Sequence, residues 1–167
     1  MDAIREQIAF TKVYEEIGTA APAWQDVDAI IAQSGRHVDF GHISLAFSNS
    51  GLEIYANPML EKVFYNLFDN AVKYGGERIT AIRVDSYRSG DDMVISVEDD
   101  GAGVSPGDKS RLFERGFGKN TGLGLFLSRE ILSITDIRIQ ETGKPGKGAR
   151  FELVVPNGKY RFRKTVS

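Results

Sequence analysis

The stretch from Asn57 to Gly76 constrains this chain more than any other. Asn57 offers an N-cap and Pro58 fits the first helical position, while Gly75-Gly76 stops a helix at about Tyr74. Between them Met59, Leu60, Val63, Phe64, Leu67, Phe68, Ala71 and Val72 recur at helical spacing. That stripe is broad enough to pack against a sheet.

The flanking segments supply such a sheet. Residues 37–56 read as strand, turn, strand, a hairpin turning at Asn49-Ser50-Gly51. After the helix come strands at 79–87 and 92–99, joined at Ser89-Gly90-Asp91. A glycine-rich stretch follows, then a helix from Leu123 to about Leu132, then strands at 137–141 and 149–155 around the loop ETGKPGKG. The tail, residues 156–167, carries Lys159, Arg161, Arg163 and Lys164, and the Pro156-Asn157-Gly158 turn predicts a short edge strand folding back. At the other end residues 1–17 read as a helix stopped by Gly18. Residues 18–35 read as a junction broken by Pro22 and Asp26, with a short helix around Val27, Ile30 and Ile31. Paired strands alternating with helices predict an α/β (α+β) two-layer sandwich, a mixed sheet covered on one face, with an N-terminal helix.

Composition narrows the chemistry. The 167 residues match one domain in length, and the absence of Cys removes disulfides, thiolate catalysis and thiolate zinc sites. With 21 basic and 23 acidic side chains the net charge is −2, which gives no overall pull toward nucleic acid or anionic membrane. The four tail cations do not offset that balance, so no nucleic-acid partner is expected. No apolar run is long enough to span a bilayer, and the first residues carry no secretory core. A cytoplasmic setting is expected, as the cytoplasmic portion of a larger protein, either soluble or membrane-anchored. His37 and His42 have no second metal ligand at useful spacing.

Chemistry concentrates at three places. Asn66, Asn70 and Lys73 stack along one side of the 58–74 helix, opposite the apolar stripe. Carboxamide oxygens suit a hard cation and an ammonium suits phosphate, although a solvated polar face would look the same. Asn is a poor helix former, so two in mid-helix ask for a reason. Asp99 continues the parity of Met93, Ile95 and Val97 and so points inward at a strand end, where it needs a donor. A ligand amine would serve, and so would the turn's own backbone. Gly101 and Gly103 permit close backbone approach to a flat ligand. The loop Gly116–Gly124 runs directly into a helix N-terminus and carries Lys119, a setting that favours phosphate. Phe113 and Phe117 can fasten that loop to the core.

The segments together resemble the catalytic, ATP-binding domain of sensor histidine kinases, in the wider family with gyrase and the heat-shock chaperone ATPases. Asn66–Tyr74 resembles the family's N box, and Asp99-x-Gly101-x-Gly103 with Val104 beside it resembles the first glycine box. Phe113 with Phe117 resembles the aromatic box, and Thr121-Gly122-Leu123-Gly124-Leu125 the second glycine box. Gly146-x-Gly148-Ala149-x-Phe151 resembles the last. The resemblance covers residues 37–156 and implies a Bergerat-type ATP-binding fold with ATP and Mg²⁺ under a mobile lid. It implies that Asn70 ligates Mg²⁺, that Asp99 reads the adenine amine and that Lys73 helps hold phosphate. Tyr74, Gly118, Lys119 and Gly148 complete the implied nucleotide contacts.

Asn66 stands where the ATPase relatives carry a catalytic Glu, and an amide cannot take a proton from water. Hydrolysis is therefore expected to be poor, and γ-phosphoryl transfer to a positioned His is the coherent use. Residues 1–17 resemble the second helix of a dimerisation and phosphoacceptor hairpin, so the division expected is 1–35 for partial hairpin plus linker and 36–167 for the catalytic domain. The expected partners are the absent phosphoacceptor helix, a downstream response regulator and a second copy in the full-length protein. Asn120 departs from the family, standing where many members have a further Gly. The alternatives are an ATP hydrolase of the gyrase and chaperone branch, or a non-catalytic nucleotide-binding regulatory module.

Overall fold

In the computed structural model the described residues are 12, 14–115 and 124–163. Their elements are β1 (Ala23–Asp26), α1 (Val27–Gly35), β2 (Ser44–Phe47), β3 (Leu52–Ala56), α2 (Leu60–Tyr74), β4 (Ala81–Ser89), β5 (Asp92–Asp99), the short α3 (Pro106–Lys109), α4 (Gly124–Ser133), β6 (Arg138–Glu141), β7 (Arg150–Val155) and β8 (Tyr160–Phe162).

The strands form two sheets, a larger one in the order β2-β4-β5-β7-β6 and a smaller one in the order β1-β3-β8. Only β2–β4 is a parallel pair among these strands; the rest are antiparallel. Alternation along β5 sends Met93, Ile95 and Val97 inward to meet Leu153, Phe151 and Val155 of β7. Leu60, Val63, Phe64, Leu67, Phe68 and Ala71 of α2 fill the other side of that core. On either side α1 and α4 pack against α2, adding Val27 and Ile31, and Ile131 and Leu132. The result is a mixed sheet under one layer of helices.

Three sequence expectations meet a different outcome. The 37–56 segment is not a hairpin: β2 joins the larger sheet beside β4, while β3 joins the smaller one between β1 and β8. The turn residues do turn the chain, with φ of 52° at Ser50 and 78° at Gly51. Asp28 of α1 holds that turn through the Asn49 backbone N–H at 2.9 Å and its side-chain Nδ2 at 2.7 Å. Each strand then finds its own partner. The junction 18–35 hides β1 and contributes to the main core, because Trp24 pairs across to Tyr55 and the Asp26 side chain caps α1 at Ala29. Four residues are too few to carry a visible period of two.

The N-terminal helix, described over 14–19, runs past Gly18. Most of its expected span, residues 1–11 and 13, lies outside the described residues. Its end is anchored: Ile17 is buried in the core and its carbonyl accepts from Asn57 Nδ2 at 3.0 Å. Asn57 also accepts from the Met59 N–H at 2.8 Å, so it shapes the turn before α2, which starts at Leu60 rather than at Pro58. The expected edge strand is present as β8 on β3. No helix among the described residues is long and apolar enough to cross a membrane.

Candidate functional site

The polar side of α2 meets the start of α4. Asn66 Nδ2 donates to the Gly124 carbonyl at 3.1 Å and to Ser128 Oγ at 3.2 Å. A carbonyl oxygen only accepts, so the amide must face it with nitrogen. One turn further on Asn70 is half-buried, and among the described residues its carboxamide makes no hydrogen bond. Lys73, a further turn along, is half-exposed and ion-paired. Its Nζ pairs with Asp69 Oδ2 at 2.9 Å, and that hydrogen bond raises its pKa. Asp69 lies four residues before it, the favoured geometry for a helical ion pair.

The end of α2 also locks onto the Asp99 loop. The Ala102 N–H donates to the Gly75 carbonyl at 2.9 Å. A Cβ on Gly101 would lie 2.6 Å from that same oxygen, so backbone meets backbone there. Gly103 has φ +77° and a Cβ on it would lie 2.9 Å from the Gly148 carbonyl. Gly148 has φ +119° and a Cβ on it would fall 1.9 Å from the Asp99 carbonyl. These glycines are required by the packing of three loops on one another, a reason the sequence reading did not assign to them.

Asp99 sits in the middle of that junction, half-buried. Its Oδ1 accepts from the N–H groups of Gly101 at 2.9 Å and Ala149 at 3.2 Å. Burial pushes its pKa up, and those two N–H groups pull in the opposite direction without cancelling the shift. Among the described residues Oδ2 makes no hydrogen bond. Its neighbour Asp100 behaves in the opposite way. The Thr80 hydroxyl and the N–H groups of Thr80 and Ala81 bind its carboxylate and lower its pKa, which fastens the loop to the start of β4.

Of the other expected contacts, Val104 and Leu125 lie partly buried against the core, and Tyr74 is exposed. Phe113 packs edge-on against Phe151 with ring centroids 6.4 Å apart, the fastening role expected of it. The expected contacts at Phe117, Gly118, Lys119, Thr121, Gly122 and Leu123 lie outside the described residues.

Several contributors went unread in the sequence. Ser128 holds Asn66, and Lys109 pairs with the buried carboxylate of Glu141 at 2.6 Å, pinning α3 to the β6–β7 loop. A cleft of about 230 Å³ opens beside that loop, between Asp99, Thr142, Lys144, Lys147 and Arg150. No run or spacing in the sequence marks Ser128, Lys109 or Glu141. No group of three or more His, Asp or Glu side chains suited to a metal occurs among the described residues.

Comparison with known proteins places this geometry. Residues 56–159 match the family described as histidine kinase-, DNA gyrase B-, and HSP90-like ATPase. The alginate biosynthesis sensor protein KinB of Pseudomonas aeruginosa is 37% identical over 102 residues, covering 58% of this chain and 17% of that protein. The histidine protein kinase SaeS of Staphylococcus epidermidis is 33% identical over 118 residues, covering 64% of this chain and 33% of that protein. This chain therefore spans a third or less of the length of these relatives. A crystal structure of full-length ShkA in complex with AMPPNP superposes with a TM-score of 0.74 at 24% identity, covering 99% of this chain and 37% of that one. The fold is shared across that whole span.

Proposed function

Because this chain belongs to the histidine kinase-, DNA gyrase B-, and HSP90-like ATPase family, and its sequence relatives include sensor histidine kinases, we propose that it is the ATP-binding catalytic domain of a sensor histidine kinase. It transfers the γ-phosphoryl group of ATP to a His on a phosphoacceptor helix. The imidazole nitrogen forms the new bond to phosphorus as the bond to the bridging oxygen breaks, and ADP leaves.

The observation that carries this reading is the state of position 66. It holds a carboxamide whose nitrogen is committed to α4. An amide cannot activate water, so the site favours transfer to a nucleophile brought from outside over hydrolysis.

The residues present fit nucleotide and Mg²⁺. The half-buried Asp99 has an Oδ2 that makes no hydrogen bond among the described residues, suited to accept from the adenine exocyclic amine. The Asn70 carboxamide, which makes no hydrogen bond among the described residues, would offer one hard oxygen to Mg²⁺, with phosphates and water supplying the rest. When bound, Mg²⁺ supplies charge neutralisation at the phosphates. Lys73 contributes positive potential at the same face while paired with Asp69. Gly118, Lys119, Thr121, Gly122, Leu123 and Gly124 are proposed nucleotide contacts. Residues 1–17 are proposed as hairpin helix, while residues 23–35 fold as part of the catalytic body. A response regulator and a second copy are the partners this role entails.

The test is Asn70→Ala, with calorimetry of ATP with and without Mg²⁺ and phosphoryl transfer to a His-bearing helical hairpin supplied in trans. The wild type should bind ATP more tightly with Mg²⁺, and the variant should lose that dependence and the transfer while staying folded. Retention of both by the variant would reject Asn70 as the ligand. A wild type that binds no ATP would reject the function.

A further inference from the structure

Ser128 is fully buried in α4, with 0% of its surface exposed. Its hydroxyl donates to the Gly124 carbonyl at 2.8 Å. Having given its one proton, that oxygen presents lone pairs to Asn66 Nδ2 at 3.2 Å. The Gly124 carbonyl, 3.1 Å from the same nitrogen, also has only lone pairs to give. Among the described residues the side chain of residue 66 thus meets only acceptors in this cradle. A Cβ on Gly124 would lie 3.4 Å from Asn66 Cγ, so the start of α4 is in close contact with the carboxamide.

We propose that Ser128 and the Gly124 carbonyl select an amide over a carboxylate at position 66 and turn its Oδ1 away from α4, toward bound nucleotide phosphates. Ser128 is a positioning residue that acts through Asn66. A carboxylate at this position would bring lone pairs against lone pairs in a buried setting, so the cradle also stands against the hydrolytic chemistry of a carboxylate at this position. The proposal rests on the reading that this face of α2 meets nucleotide phosphate.

The experiment uses the full chain. In the wild type, nitrogen-resolved NMR should show the Asn66 side-chain N–H protons exchanging with water more than about tenfold slower than those of an exposed Asn. Ser128→Ala should speed the exchange of one of them, and Ser128→Thr, which keeps the hydroxyl, should restore it. Calorimetry with Mg²⁺ and ATP should show Ser128→Ala weakening affinity about fivefold, the equivalent of one neutral hydrogen bond. In an Asn66→Ala background the same change should have no further effect. Equal losses in both backgrounds would reduce Ser128 to a packing residue and overturn the proposal. So would wild-type Asn66 N–H protons that exchange as fast as exposed ones, whatever the variants do. A wild type that shows the protected amide but binds no ATP would leave the cradle standing and remove both its stated purpose and the proposed function.

Discussion

At Asp99 a carboxylate is held partly out of water by Gly101, Ala149 and the loop around Gly148. Its pKa is raised in the folded state, so the contribution of this group to stability is fullest below its unfolded pKa and falls as pH rises through the folded one. Above that value the ionised group opposes folding. Asp99→Asn keeps an oxygen for the two N–H groups and removes the buried charge, so thermal melting at pH 7 should be unchanged or higher. Affinity for ADP should drop by about tenfold to 150-fold, the equivalent of roughly 1.5–3 kcal/mol for a charged hydrogen bond. In the wild type, affinity should fall as pH is lowered through a midpoint above the usual Asp range, because protonation removes the acceptor. A D99N protein with full ADP affinity, or a midpoint below that range, contradicts the assignment. Asn66→Glu carries the second residue-scale expectation. In the cradle the Ser128 hydroxyl proton is committed to the Gly124 carbonyl, so a carboxylate is poorly held there and phosphate release should stay within about twofold of background rather than rise toward that of a hydrolase. The site was legible where a residue type was out of place, as with two Asn in mid-helix and an acid on the inward parity of β5. The Lys73–Asp69 pair was not legible because Lys73 has more than one possible neighbour, and the crowding at the glycines was not legible because it comes from loops distant in sequence.

The elements were legible where a period ran long enough. The α2 stripe and the β4–β5 hairpin, whose register runs from Ile82↔Asp99 to Ser89↔Asp92, follow from their own residues. β1 is too short to show a period, and the separation of β2 from β3 depends on Asp28 reaching the Asn49 turn. Asn57 shows how one side chain can serve two elements. It is fully buried, and it joins the carbonyl of Ile17 to the turn that starts α2. Asn57→Ala leaves an acceptor and a donor unmatched and should cost about 1–3 kcal/mol in urea unfolding. Loss of less than a few tenths would mean that water replaces both bonds. Gly148→Ala should be more damaging, by about 3–5 kcal/mol or to the point of not folding, because the added carbon would meet the Asp99 carbonyl at 1.9 Å with φ at +119°. Circular dichroism during denaturation gives the answer directly.

Across the whole molecule the smaller sheet does the joining. Its outer face carries the tilted Trp24–Tyr55 pair, with Arg161 over the Trp24 ring at 4.1 Å and Lys159 over Tyr55 at 5.3 Å. Arg161 also pairs with Glu53 at 2.7 Å, so these tail cations are engaged with their own sheet. The two-layer class was readable from element order, but this second sheet was not, because its three strands lie far apart in the chain and each is short. Pulsed hydrogen exchange during refolding should find the β4–β5 amides protected first and those of Leu52–Ile54 among the last. Simultaneous protection would contradict that order. The bond from Arg161 to Glu53 closes a separation of 108 residues. A ribosome delivers β3 long before it delivers β8, so until β8 emerges the Leu52–Ile54 edge has no strand to its outer side. In that interval the nascent chain carries α2, already supplied with both asparagines, beside an open strand edge that β8 has yet to cover, and it is most exposed there to mispairing with another chain.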